Sequence, residues 1–95
     1  MIVIVMENAS EKLRGELTKW LLEVKPGVFV GKTSALVRDK LWEKVEHDRG
    51  VSGALLIHNS DNEQGFAIKM IGIPKRSVID IDGIQLIKRQ NIITE

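Results

Sequence analysis

Lys75 and Arg76 are adjacent and follow Pro74, in a stretch that reads as a turn, so both heads can project into solvent. A guanidinium offers a planar fork that fits two phosphate oxygens at once, whereas an ammonium acts as a point charge. The plainer reading is a solvated basic pair at the end of a strand. Lys12 and Arg14 raise the same chemistry at the start of a helix. Cations there oppose the helix dipole, at a cost of about 0.3–1 kcal/mol when exposed, although Glu11 and Glu16 are close enough in sequence to compensate. An N-terminal helix turn also presents free amides to a phosphate, and nearby basic side chains reinforce that.

Glu7 closes the first apolar run, with the neutral Asn8 behind it. A carboxylate at a strand end can hold a metal ion, or it can simply bond a neighbouring loop. His47 and His58 are joined by no motif and read as ordinary histidines. Trp20 and Trp42 fall on apolar helix faces, which favours packing over base stacking. Asp80 and Asp82 resemble a carboxylate pair, but Asp82-Gly83 reads as a turn before the last strand.

The elements that must position these residues follow from periodicity. Ile2 to Val5 is a β-branched run, as in a central strand covered on both faces. Ser10 is a candidate N-cap for a helix whose apolar face is Leu13, Leu17, Trp20, Leu21 and Val24, stopped by Lys25-Pro26-Gly27. Val28 to Val30 forms a short strand. A second helix after Ser34 has Leu36, Val37, Leu41, Trp42 and Val45 as its core side. Strands over Val51 to His58 and Phe66 to Ile73 flank the polar run NSDNEQG, a hairpin loop. Pro74 to Ser77 breaks the second of them, and the apolar segment Ile84 to Ile93 supplies one or two further short strands. The order is β-α-β-α-β-β plus a C-terminal strand, an α/β or α+β sandwich with two helices on one face of a sheet.

Composition sets the frame around that pattern. The chain has 95 residues and 43% hydrophobic residues, enough for one small domain with a modest core. With no cysteine, disulfides, thiolate metal sites and cysteine nucleophiles are excluded. MIVIV is too short to span a membrane and has no basic flank, so a cytoplasmic protein is expected. Fourteen Lys and Arg against thirteen Asp and Glu give a net charge of +1, so any nucleic-acid binding must come from local clusters.

The sequence EN followed by KLRGELTKWLLEVKPGVFVG, then LWEKVE, EQGF, GIPKR and DIDGIQL, resembles the blocks of a known family. In that order and spacing they are similar to the small CRISPR-associated adaptation protein Cas-two, in its type I-E form, over nearly the whole chain. The resemblance implies a ferredoxin-like α+β sandwich, two helices on one face of a mainly antiparallel sheet, assembled as a homodimer. It also implies a role: the dimer bridges two dimers of the integrase Cas-one, captures short duplex DNA by its backbone without sequence specificity, and serves its insertion as a new spacer.

Carried over residue by residue, Lys75 and Arg76 match the family's backbone-gripping basic pair, and Lys12 and Arg14 match DNA-facing positions of the first helix. The family's third basic position there is Glu16 in this chain, a departure that thins the patch. The family's other reported activity is metal-dependent cleavage of RNA or DNA. It uses a carboxylate, usually Asp, from each subunit; here the matching residue is Glu7, with Mg2+ as the candidate ion. Within a single domain 1–95, the segment 83–94 is expected to dock on the dimer mate and the integrase through Ile84, Leu86, Ile87 and Ile92. The element order differs from the usual βαββαβ of ferredoxin-like folds, and a missed short strand or a subtype variation would account for that. A regulatory module binding a small ligand has no support beyond the fold.

Overall fold

The computed structural model describes residues 1–72 and, beyond them, the backbone of the strands Arg76–Ile81 and Ile84–Arg89. The first strand, β1 (Ile2–Glu7), alternates: Ile2, Ile4 and Met6 are buried, while Val3 and Val5 are half-buried. Only one face of this strand is covered by helices, which corrects the expectation of cover on both. Ile4 lies opposite Phe29 on one side and Leu56 on the other, and all three are fully buried. This row is the floor of the core. Leu13 and Leu17 of α1 (Glu11–Leu17) and Leu41, Trp42 and Val45 of α2 (Ala35–His47) pack against it.

The helix expected to run to Val24 ends at Leu17. Lys19, Trp20 and Leu21 close a turn onto Glu16 and Leu17, and the chain then becomes β2 (Leu22–Lys25). Leu21 is buried from that turn, so the i+4 spacing of Leu13, Leu17 and Leu21 continues without the helix that usually produces it. Two residues expected in the core are therefore outside it, Trp20 at 56% exposure and Val24 at 54%. Leu36, in the first turn of α2, is also exposed rather than part of that helix's core side.

β2 is the strand that the sequence pattern hid. It pairs with β3 (Val28–Gly31), β3 with β1, β1 with β4 (Gly53–Asn59) and β4 with β5 (Phe66–Ile71), all antiparallel. The sheet order is β2-β3-β1-β4-β5. Each helix thus joins two strands with a third between them, the split βαβ arrangement twice over, which is the ferredoxin-like fold with β5 added at one edge. The β2–β3 turn is fixed by Gly27, whose φ is +81° and whose carbonyl accepts from the Met6 N–H at 2.8 Å. A Cβ there would lie 2.5 Å from the Met6 carbonyl oxygen, so only glycine fits.

The helices cover one face of the sheet. The other face carries Val30, Val3, Ile57 and Ile68 in one cross-strand row and Val28, Val5, Leu55 and Met70 in the next; Ile68 is buried and the others are half-buried. Leu22, beside Val30, is 68% exposed. At the C-terminal side, β6 (Arg76–Ile81) and β7 (Ile84–Arg89) form a separate two-stranded sheet. Arg76 thus begins a strand, where the sequence pattern suggested a break. Among the described residues, no helix is long and apolar enough to cross a membrane.

Candidate nucleic-acid interface

The basic residues of the first helix are held by a network that begins at its cap. Ser10 accepts from the Leu13 N–H at 3.1 Å and donates to Asp48 Oδ1 at 2.9 Å. Asp48 caps the far end of α2, so one hydroxyl ties the start of α1 to the end of α2. The second oxygen of Asp48, Oδ2, is buried without a partner. Beside this joint runs an open groove of about 220 Å³ lined by Lys12, Leu13, Glu16, Lys44, His47 and Asp48.

Lys12 is exposed. Glu16, the residue that interrupts the expected basic series, is paired with Lys44 at 2.8 Å. The hydrogen bond and charge of Lys44 hold the Glu16 carboxyl below its ordinary value, with the charges of Lys12 and Lys19 adding to the effect. The acidic departure is therefore enclosed by lysines from both helices and the turn after α1. Lys19 and Lys44 belong to this surface although they were not singled out in the sequence. Lys19 falls seven residues after Lys12, two helical turns, which is the signal that could have found it.

Arg14 is placed differently. Its Nε and Nη2 both reach Glu23 Oε2, at 3.1 and 3.0 Å. The same oxygen accepts from the Gly27 N–H at 3.1 Å, so the carboxylate is anchored by the β2–β3 turn. One edge of the Arg14 guanidinium is thus committed to the protein, while the side chain keeps 40% of its exposure. Arg14 faces an open hollow of about 350 Å³ lined also by Glu11, Gly15, Thr18 and Glu23.

Glu7 ends β1 exposed, in the same alternation as Val3 and Val5 and hence toward the helix-free face. Its backbone carbonyl accepts from the Ser52 N–H at 3.0 Å. Asn8 takes the left-handed conformation at φ 61°, and its amide donates to the Ser52 hydroxyl at 2.9 Å. These bonds fix the backbone and leave the Glu7 carboxylate to solvent. Among the described residues no three His, Cys, Asp or Glu side chains converge as a metal site. The described residues of one chain therefore do not form a three-ligand site for a divalent ion by themselves.

Of the remaining candidates, His47 lines the groove beside Lys12. His47 Nδ1 donates to the Glu43 carbonyl at 2.7 Å, inside its own helix. His58 Nδ1 lies 2.7 Å from the Asn59 carbonyl and 3.1 Å from Arg38 Nη1. Trp42 is in the core. Lys75, Asp82 and Ile92 lie outside the described residues. Arg76 is on β6 with Asp80, and Ile84, Leu86 and Ile87 are on β7. The register sets Arg76 opposite Arg89 and Ser77 opposite Lys88, which gathers cationic positions at one end of the hairpin.

Fold and site together define a ferredoxin-like α+β domain whose first helix carries exposed and ion-paired cations next to its cap. A family model described as "CRISPR-associated protein (Cas_Cas2CT1978)" matches residues 1–86. The chain belongs to this Cas-two-type family of CRISPR-associated proteins.

Proposed function

We propose that the protein is the dimeric, DNA-bridging subunit of a type I-E spacer-acquisition complex, holding duplex DNA by its phosphates while the partner integrase Cas-one carries out strand transfer. The observation that carries this reading is the helix-free face of the sheet. Two rows of aliphatic side chains cross β3, β1, β4 and β5 there; all but the buried Ile68 keep part of their surface accessible, an apolar face suited to association. A second copy stacked on it would form a two-fold, self-complementary interface. The two-fold axis would double Lys12, Arg14, Lys19, Lys75 and Arg76, turning small clusters into a stripe long enough for a duplex backbone. Phosphate contacts of this kind position the DNA without reading its bases.

Glu7 favours a second reading, metal-dependent phosphodiester cleavage. It lies on the same face as Val3 and Val5, so stacking would bring a carboxylate from each subunit toward the axis. With Mg2+ bound between them, the ion would supply an activated water. Co-purification with the integrase, followed by spacer integration with wild type and Glu7→Ala, separates the two. Integration by both proteins is the expected result; loss confined to the variant would favour the nuclease.

A further inference from the structure

The ribbon of β6 and β7 opens on an arginine pair. Arg76 is the first residue of β6 and Arg89 the last of β7, and the register sets them directly opposite each other. Directly opposed residues of an antiparallel pair share a face, with Cβ atoms about 4.5–5.5 Å apart, and like charges in that relation destabilise the pairing. Val78 opposite Ile87 and Asp80 opposite Gln85 continue the same face, while Ile79 opposite Leu86 and Ile81 opposite Ile84 give the other face an aliphatic character. The two strands contain a single acid, Asp80. It stands farther along β6 from Arg76, roughly 14 Å away at the usual rise of about 3.4 Å per residue, which is beyond the screening length of about 8 Å at physiological salt. Lys88, opposite Ser77, adds a third cation one pair further in. An isolated two-stranded ribbon is marginal in water. This one carries three cations in two successive pairs, with no carboxylate opposite any of them. The placement suits a repeating anion, because a lone carboxylate would leave most of that charge uncompensated.

We propose that Arg89 is a duplex-binding residue, and that Arg76 and Arg89 together hold one phosphate of the DNA backbone from the two strands of the ribbon. Arginine suits this role: each planar fork donates two parallel N–H groups, so two forks can enclose the non-bridging oxygens of one phosphate. The anion in turn offsets the repulsion between the two guanidiniums, so the open end of the ribbon is more stable with DNA bound than without it. This inference rests on the DNA-binding function proposed above. It adds to that function a residue and a stoichiometry, two arginines to one phosphate.

The test uses the full chain, a duplex of arbitrary sequence titrated over a range of salt, and the variants Arg76→Ala, Arg89→Ala, Arg89→Lys and the Arg76→Ala, Arg89→Ala double. Arg89→Ala should weaken duplex binding by about tenfold, as for the loss of a hydrogen bond to a charged group. It should not lower the thermal midpoint, since it removes a like-charge opposition. Arg89→Lys should bind more tightly than Arg89→Ala and less tightly than wild type, because the charge stays and the fork is lost. With one phosphate shared, the double variant should lose less affinity than the product of the two single effects. It should lower the slope of log K against log[salt] by about 0.9, the value for one phosphate. A slope lowered by about 1.8, with losses that multiply, would mean two separate phosphates and overturn the shared hold. If wild type binds duplex and Arg89→Ala binds equally well, this inference is overturned while the DNA-binding function stands. Failure of wild type to bind duplex overturns both. A midpoint that falls together with affinity would make Arg89 a structural residue. Loss of integrase co-purification at unchanged duplex affinity would assign the pair to a protein carboxylate, and either result overturns the proposal.

Discussion

Glu16 shows how much a single side chain depends on what surrounds it. As a residue type it subtracts from a basic surface, yet the Lys44 ammonium at 2.8 Å takes up its charge, and Lys12 and Lys19 add to the field. The pair also joins α1 to α2. Because Lys44 lowers the Glu16 pKa in the folded state, its contribution is fully present above the ordinary glutamate value of 4.5 and is lost as pH falls through the lowered value. Lys44→Ala should therefore narrow the stability gap between neutral and acid pH. Thermal midpoints of both proteins over that range would show it; parallel curves would mean that the pair contributes nothing. The contribution is small, as for other exposed ion pairs.

At the scale of elements, the decisive feature is the turn from β2 into β3. Gly27 accepts the Met6 N–H, donates to Glu23, and so connects β1, the hairpin and Arg14. Gly27→Ala would force a methyl group to within 2.5 Å of the Met6 carbonyl oxygen at a left-handed φ. The expected loss is at least about 2 kcal/mol, a fall of roughly 8 °C or more in thermal midpoint. A midpoint unchanged in calorimetry would show that the turn is not rigid. The sequence made β1, β3 and the β4–β5 hairpin legible as short apolar runs bounded by turn residues, and α2 legible by its helical period. It did not make β2 legible, for two physical reasons. Leu21 continues a helical spacing although it is buried from a turn, and Leu22 and Val24 are apolar without being buried. The same error hid Glu23, which on a helix would have had no reason to meet Arg14. The cations themselves were legible by type and position, but the pairs Glu16–Lys44 and Arg14–Glu23 were not. Such pairs are created by packing, and no spacing in the chain announces them.

At the scale of the whole molecule, the two faces of the sheet differ. One is closed by α1 and α2 around Ile4, Phe29 and Leu56; the other carries Val3, Val5, Val28, Val30, Leu55 and Ile57, all half-buried in the single chain. If a second copy covers that face, Leu55→Glu places a charge in each half of an apolar interface. Sedimentation velocity should then show a dimer for wild type and a monomer for the variant, with the fold kept, since Leu55 is only half-buried in the single chain. A variant that stays dimeric would locate the interface elsewhere. On the proposed function a dimer would set the scale of the DNA surface, because a net charge of +1 per chain gives little attraction except where symmetry gathers cations.

Whether this protein holds duplex DNA through its phosphates is tested most directly by the salt dependence of duplex affinity. Two duplexes of unrelated sequence, titrated over a range of salt concentrations, should bind alike, with log K falling steeply and linearly against log[salt]. The double variant Lys75→Ala and Arg76→Ala should bind both more weakly and lower the slope by about 0.9 for each phosphate it no longer neutralises. A shallow slope, an affinity that depends on sequence, or a double variant indistinguishable from wild type would contradict the phosphate-holding role.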